Sequence, residues 1–530
     1  MKKTTAKRYV LSIDLGSSDL KAALVGDDGQ IVASADEPTG TTLFPGGGAE
    51  QDPVQWWLSA KKAALTVIAR AGVPAEKIVA VACDSQWSVV VPVDENAEPL
   101  MGAVHWLDTR GGKYNRRVAG GFPGIQGYQV WKLMQWIRLT GLAPTHTGVD
   151  SMGHVLFIKN ERPDIYHKTF KFLEPMDYLT ARLSGKIVAT QKTMAPFVIT
   201  DNRVGEGRYS DALLRMAGLD REKFPDLIAN NGIVGLIDPA VAGELGLSPA
   251  TRIVAGVGDT NASIIGSGAV QDFEAIIYIG TTLYMSCHMP FKKTDLAHMM
   301  TALPCAFPDR YILLGEQGLG GKCVEFFLKN ILYDTDDFEM PEKPEDAYLR
   351  YNTVAASSPP GSGGVIFLPW LNGSVVPCEN PHVRGGFVNL SIDTHRRHLA
   401  RSVMEGLAFN SRWTREPAEK MMGRPFTRFI FSGGGALSDL WSQIHADILG
   451  VPIHQVADPL TSTARGTALL ALTALGHLTV DQLPAMVPIR QVFEPDPSNK
   501  AIYDRLYSQY RRLFSRNKDI FAALNAHAGE

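Results

Sequence analysis

Tyr9-Val10-Leu11-Ser12-Ile13-Asp14-Leu15-Gly16-Ser17-Ser18 is the stretch on which the fold turns. Tyr9 to Ile13 reads as a buried strand and Asp14 to Ser18 as a tight polar turn. Lys21 to Val25 reads as the returning strand, and Gly26 to Gly29 as a second turn. The same order recurs far downstream. Ala275 to Ile279 is a second buried strand, Gly280-Thr281-Thr282 a second glycine followed by two hydroxyls, and Leu283 to Cys287 a second returning strand. Gly16 and Gly280 stand almost half the chain apart, which points to a duplicated, two-domain architecture.

The segments around these turns predict an α/β protein. Pro53 to Ala71 carries a helical pattern, with Trp56, Trp57, Ala60, Ala64 and Ile68 on one face and Gly72 as its stop. Ile78–Cys83, Val89–Val93 and Arg252–Ala255 read as strands. His398–Trp413, Leu437–Leu449 and Arg465–Leu475 read as helices. Such alternation in both halves favours mixed or parallel sheets covered by helices. Phe44–Gly48 reads as a short surface loop with an entry role, and Ser357–Gly364 as a loop between the lobes.

Composition narrows the function. A chain of 530 residues with 45% apolar and 20% charged side chains is long enough for about three domains, or two large ones. The net charge is −3 and no run of like charges stands out, so a nucleic-acid partner is not expected. The five cysteines are scattered and form no CxxC pair, which argues against a disulfide framework or structural zinc. No stretch reaches membrane-spanning length, and the apolar run after the basic Met1–Arg8 segment is too short for a signal peptide. The expectation is a cytoplasmic protein with no membrane partner.

Four features suggest chemistry. Gly16-Ser17-Ser18 and Gly280-Thr281-Thr282 suit phosphate oxygens, because small residues let backbone N–H groups approach an anion. Each alone also fits an ordinary hairpin in which glycine supplies positive φ. As a pair they form a clamp for a polyphosphate. Asp14 suits Mg²⁺, which takes few protein ligands and keeps several waters, or serves as a turn cap. Phe429 to Ala436 runs from a strand through Gly433-Gly434-Gly435 toward a helix, so a nucleotide fits against its backbone. Asp259, in Gly256-Val257-Gly258-Asp259-Thr260-Asn261, stands near a helix start as a base or a simple cap. Gly315–Cys323 departs from a P-loop, and neither Gly-x-Ser-x-Gly nor His-Glu-x-x-His occurs.

Taken together, the chain from Ile13 to about Leu475 resembles the FGGY family of carbohydrate kinases, with the xylulokinase branch nearest. Ile13 to Ser18 with Lys21 resembles the first phosphate loop, and Ala49-Glu50-Gln51-Asp52-Pro53 with Trp56-Trp57 the EQDP..WW segment. Trp106-Leu107-Asp108-Thr109-Arg110 resembles WxDxR, and Pro175-Met176-Asp177-Tyr178-Leu179 with Leu183 and Gly185 resembles PxDYLxxxLTG. Gly258-Asp259 resembles the catalytic-aspartate loop, and Gly280-Thr281-Thr282 the second phosphate loop. Leu368 to Gly373 with Arg384-Gly385 resembles LPYLSGE…RG, and Ser432 to Leu449 the adenosine-binding strand and helix.

The resemblance implies two actin-like, ribonuclease H-like ATPase lobes around a central cleft. Residues 1–254 would form the sugar-binding lobe and 255–530 the nucleotide-binding lobe. It implies transfer of the ATP γ-phosphoryl group to a sugar or polyol hydroxyl, with Asp259 accepting the proton and Asp14 near Mg²⁺. Gly16, Ser17, Ser18, Gly280, Thr281 and Thr282 would hold phosphates. Gly321, Gly434, Gly435 and Ser438 would line the adenosine site. Gln86, Trp87, Ser88, Trp106, Asp108 and Thr260 would face the sugar. A homodimer is also implied. Where the branch has GQMHG, this chain has Ser85-Gln86-Trp87-Ser88, and the Asn expected after Asp259 is Thr260. These departures leave the acceptor open between a ketopentose such as xylulose and a ribulose-, glycerol- or erythritol-type substrate. Asp19 stands where a small uncharged residue is usual. With the altered sugar loop it motivates a non-catalytic ATP- and sugar-binding sensor as the competing reading.

Overall fold

The computed structural model describes residues 7–203, 205, 207–334 and 342–525. The first six residues of the basic N-terminal segment lie outside them. In the first half, strands Tyr9–Leu15 (β1), Asp19–Gly26 (β2), Ile31–Pro38 (β3), Ile78–Ser85 (β4), Ile233–Leu236 (β5) and Arg252–Val254 (β6) line up as β5-β6-β4-β1-β2-β3. In the second half, Ala275–Ile279 (β7), Thr282–Met289 (β8), Tyr311–Leu319 (β9), Phe429–Ser432 (β10), Ile453–Val456 (β11) and Ile489–Phe493 (β12) line up as β12-β11-β10-β7-β8-β9.

The two sheets match pairing for pairing. An antiparallel hairpin, β1–β2 or β7–β8, takes an antiparallel third strand on one side. On the other side come two parallel strands and an antiparallel edge. The edge connection differs, since β5 precedes β6 whereas β12 follows β11, and the second sheet is extended beyond β9 by Met300–Pro304 and Thr294–Asp295. The duplicated α/β architecture expected from the turns is therefore present. Each half carries a long insertion, between β4 and β5 in the first and between β9 and β10 in the second. The first insertion builds its own core around Trp136, Phe172, Phe197 and Phe224.

Helices cover the sheets as their apolar stripes require. Pro53–Ala71 (α1) starts on Asp52, whose side chain accepts the Val54 N–H, and stops at Gly72 in the left-handed region. It packs Trp56, Ala60, Ala64 and Val67 on the first sheet, together with Pro175–Ser184 (α2). Full burial of one such large side chain contributes roughly 1.5–3 kcal/mol. On the second sheet, Gly321–Phe327 (α4), Arg396–Met422 (α5), Asp439–Leu449 (α6) and Lys500–Leu524 (α8) share one core. The expected helix His398–Trp413 is thus the inner part of a longer one. The Ser357–Gly364 loop lies within the second half rather than between the lobes. Glu405 on α5 anchors it, accepting from Gly361 N and Ser362 Oγ.

Between the sheets lie Asp259–Gly266 (α3) and Ser462–Ala474 (α7). They cross through two glycines. A Cβ on Gly266 would stand 1.7 Å from the Ser462 carbonyl oxygen, and one on Gly466 would stand 1.8 Å from that of Ala262. Buried Arg465 ties the crossing to the first half, donating to Gly29 O and Gly266 O. The start of α3, where Asp259 sits, is fixed against both halves.

Candidate active site

The parallel register of β1 and β4 sets Asp14 beside Asp84. Asp84 has no exposed surface, and its Oδ2 accepts from Thr467 Oγ1 of α7 at 2.6 Å. Its Oδ1 has no hydrogen-bond partner among the described residues. Burial, and then the neighbouring Asp14 charge, push the Asp84 carboxyl well above the usual range. Burial also raises Asp14, against the pull of Lys21 across the hairpin. A half-buried carboxylate beside an orphaned carboxyl oxygen is a hard-oxygen donor set, and it fits Mg²⁺.

The first turn is closed by Gly16 N donating to Asp19 O at 2.9 Å. Neither Gly16 nor Gly280 has positive φ. Glycine is needed for space, since a Cβ would meet Asp19 O at 2.9 Å in one turn and the Tyr278 ring at 2.8 Å in the other. Ser18 and Asp19 are exposed. Ser17 is occupied. Its hydroxyl donates to Gln86 Oε1 at 2.7 Å and accepts from Trp106 Nε1 at 3.0 Å. The Gln86 amide donates to Gln51 Oε1, and His105 Nε2 lies 2.9 Å from Gln86 Oε1. A polar chain thus couples the phosphate turn to the expected sugar wall.

Two of the residues expected to face the sugar are buried. Asp108 has no exposed surface. Its oxygens are taken by Ala49 N, Arg110 N and Arg110 Nε at 2.8–2.9 Å, so it shapes the loop. Gln86 is likewise buried, its amide spent in the chain just described. Trp87, Ser88, Trp106 and Thr260 keep partial exposure. The Phe44–Gly48 turn packs on this wall, where a Cβ on Gly47 would stand 2.1 Å from Thr109 Oγ1.

Asp259 is the first residue of α3, and the cap position belongs to Gly258, which offers no side chain. The Asp259 Oδ1 accepts from Thr260 N at 2.6 Å and from Thr260 Oγ1 at 3.2 Å. Thr260 therefore orients the carboxylate. The Trp87 ring packs against Gly258, where an added Cβ would approach it to 3.2 Å. Burial, reinforced by the Asp14 charge, raises the Asp259 carboxyl to about 6. A group poised near neutrality is suited to accept a proton.

The second turn lies on a glycine floor. Gly321 N donates to Gly280 O at 2.8 Å and Gly320 N to Thr281 O at 3.0 Å. Gly433-Gly434-Gly435 approaches the end of β7 closely, where Cβ atoms on Gly433 and Gly435 would meet Ile279 at 2.6 and 2.7 Å. Gly280, Thr281, Thr282, Gly321, Gly434 and Gly435 are thereby brought together, and Thr281 and Gly434 are exposed. Ser438 needs correction. Its Oγ caps α6 through Trp441 N and donates to Asn352 Oδ1, which leaves it buried and structural.

Sequence reading missed Asp84 and Lys192, whose charges act on Asp259, and His105, which joins the Gln86 chain. Asp84 lies at the end of β4, just before the altered Ser85–Ser88 loop, and only the sheet register brings it beside Asp14. His105 preceded a quoted motif. Lys192 follows strand Val188–Thr190 and is fully buried with an unpartnered Nζ. A single lysine in a polar loop gives no sequence signal of burial.

Comparison with known proteins agrees with this geometry. The N-terminal domain of the FGGY family of carbohydrate kinases matches residues 9–266, and its C-terminal domain matches residues 276–475. The chain is 26% identical over 520 residues to a xylulose kinase of Staphylococcus epidermidis, covering 98% of this chain and 99% of that protein. It is 25% identical over 472 residues to a gluconokinase of Bacillus subtilis, covering 89% and 88%. Among solved structures, the ligand-bound xylulose kinase of Lactobacillus acidophilus superposes with a TM-score of 0.84 at 22% identity, covering 98% of this chain and 100% of that one. Plasmodium falciparum glycerol kinase with ADP gives 0.80 at 18% identity, covering 95% and 98%, so the fold is that of the two-lobed, actin-like sugar kinases. The chain belongs to the FGGY family of carbohydrate kinases, and it is an ATP-dependent sugar kinase.

Proposed function

We propose that the protein transfers the γ-phosphoryl group of ATP to a hydroxyl of a small sugar, with a ketopentose such as xylulose as the first acceptor to test. The observation that carries this reading is Asp259. It is oriented by Thr260, raised to about 6 by burial and the Asp14 charge, and set next to Gly258, against which the Trp87 ring packs. Asp259 takes the proton of the attacking hydroxyl, a role worth roughly 10²–10⁴ in rate. Ser18, Thr281 and the backbone of Gly16, Gly280 and Thr282 hold the phosphates. Gly321, Gly434 and Gly435 line the nucleotide. Ser17 positions Gln86 and Trp106, and Trp87, Ser88 and Trp106 shape the acceptor pocket. Asp14, with Asp84 beside it, holds Mg²⁺, whose chemistry there is to neutralise charge on the phosphates.

The boundary after residue 254 is part of this proposal, with α3 as the joint between the lobes. Val257–Gly258 pairs with β4 and the N-terminal family match runs to residue 266. A cytoplasmic location fits five cysteines without a disulfide, and among the described residues no helix is long and apolar enough to cross a membrane. A homodimer is open to light scattering. The test of function is ADP release with a panel of ketoses, polyols and aldonates. Acceptor-dependent release that disappears in Asp259→Ala supports the proposal. Ligand-dependent stabilisation without turnover supports the non-catalytic sensor.

A further inference from the structure

Two tyrosines flank the second phosphate turn. Tyr278 lies two residues before Gly280, and Tyr284 two residues after Thr282. They are register partners across the β7–β8 hairpin, and their rings stack with centroids 4.9 Å apart and planes 14° apart. Such an offset stack holds two rings in a fixed relation. The Tyr278 ring also lies under the turn, since it is what a Cβ on Gly280 would meet.

The far end of this stack reaches the helix that carries Asp259. Tyr284 Oη and Ser263 Oγ lie 2.6 Å apart, in residues that are 8% and 1% exposed. The Ser263 hydroxyl has one proton and gives it to Thr260 O at 2.9 Å, so Tyr284 is the donor to Ser263. Thr260 in turn donates its N–H and its hydroxyl to Asp259 Oδ1. The path from Gly280 through Tyr278, Tyr284, Ser263 and Thr260 to the proposed base is therefore unbroken contact.

The start of α3 has two other ties. Val257–Gly258 pairs with β4 of the first sheet, and Ala306 N donates to Asn261 Oδ1 from just beyond the outer strand Met300–Pro304. Neither reaches the second turn. Among the described residues, the Tyr284–Ser263 bond is the one hydrogen bond between α3 and the β7–β8 hairpin. Phosphoryl transfer depends on in-line placement of donor and acceptor, and small misplacements are costly in rate.

We infer that Tyr284 and Ser263 are positioning residues that hold Asp259 in register with the second phosphate turn, so that proton acceptor and phosphoryl donor keep one geometry. Both are too buried to meet a ligand, and they act through Thr260. The inference rests on the kinase reading and adds two residues to it.

The test is steady-state kinetics of the wild type, Tyr284→Phe, Ser263→Ala and the double variant, with chemical denaturation alongside. ADP release is followed with ATP and D-xylulose, D-ribulose, glycerol or D-gluconate, using throughout the acceptor that the wild type turns over fastest. Tyr284→Phe keeps the ring stack and removes only the hydroxyl. In each single variant kcat should fall by about 10-fold, with the KM for ATP and for the acceptor within about two-fold of wild type. The double variant should be no slower than Ser263→Ala, because both changes break one path. Unchanged kcat with a lower denaturation midpoint would reduce the bond to a satisfied buried pair and overturn the inference, as would losses that multiply in the double variant. If Tyr284→Phe does not fold, Ser263→Ala gives the same readout from the helix side. An active wild type with unaffected variants overturns this role alone, whereas a wild type without acceptor-dependent release overturns the kinase reading and this role with it.

Discussion

The two halves share a strand plan but not a chemistry. The β1–β2 turn is surrounded by polar side chains. Asp14 and Asp84 stand at its base, and the Ser17 hydroxyl is tied to Gln86 and Trp106. The β7–β8 turn is surrounded by backbone, with Gly320-Gly321 and Gly433-Gly434-Gly435 packed around it. Side chains read hydroxyls and hold cations, whereas bare backbone lets a flat nucleotide come close. Duplication supplied two similar turns; in the proposed reading both face the phosphates of ATP, the first beside the acceptor wall of Gln86 and Trp106 and the second beside the glycine floor. Asp259, the proposed base, stands at the start of the helix between the sheets.

This division of labour can be broken at graded cost. Removing the base in Asp259→Ala should have the largest effect, a fall in kcat of about 10²–10⁴ in steady-state assays. Gly466→Ala should come next. The added Cβ meets a backbone carbonyl across the α3–α7 crossing, and overpacking of this kind typically costs about 1–3 kcal/mol, readable by chemical denaturation. Gly320→Ala places a Cβ 2.5 Å from Thr282 O and should raise the KM for ATP by roughly 10-fold, about 1.4 kcal/mol, with a smaller effect on the sugar. Ser17→Ala should do the reverse. Loss of its bonds to Gln86 and Trp106 should cost about 1 kcal/mol, seen as a several-fold rise in the sugar KM.

A separate effect is that of pH on the fold as a whole. Burial lowers His105, His154, His288 and His445 to about 4. Unfolded histidine takes up its proton near 6.5, so between pH 6.5 and 4 the unfolded chain binds more protons and stability falls. Carboxyls that burial raises, Asp177 and Glu316 to about 8, hold protons in the folded state and oppose this loss, so the histidine share is read from the rings themselves, whose NMR signals should stay unprotonated until about pH 4. Rings that protonate near 6.5 in the folded protein would contradict it.

How much of this was legible in sequence follows from what each residue's neighbours are. The hairpins, α1 with its Asp52 cap and Gly72 stop, and the triple glycine are local features, and the chain announces them. Asp259 was legible as a base or a cap, and only the fold shows Gly258 holding the cap position. Asp108 and Ser438 were read as ligand contacts because their motifs lie near the cleft. Their partners, Ala49 and Asn352, are far away in sequence, so their burial was invisible. Lys192 was missed for the same reason, since its cover comes from Cys305-Ala306 in the other half.

The central claim is that Asp259 accepts the proton while the two turns bind independently of it. The most direct measurement pairs turnover with ligand affinity in Asp259→Asn, which keeps the shape of the side chain but removes the proton acceptor. Wild-type kcat/KM should rise with pH through about 6 as the carboxyl ionises. In Asp259→Asn turnover should fall by at least about 10², lose that rise, and leave the calorimetric affinities for ATP and sugar within a few-fold of wild type. A well-folded Asp259→Asn protein that still turns over with the wild-type pH profile would contradict the account.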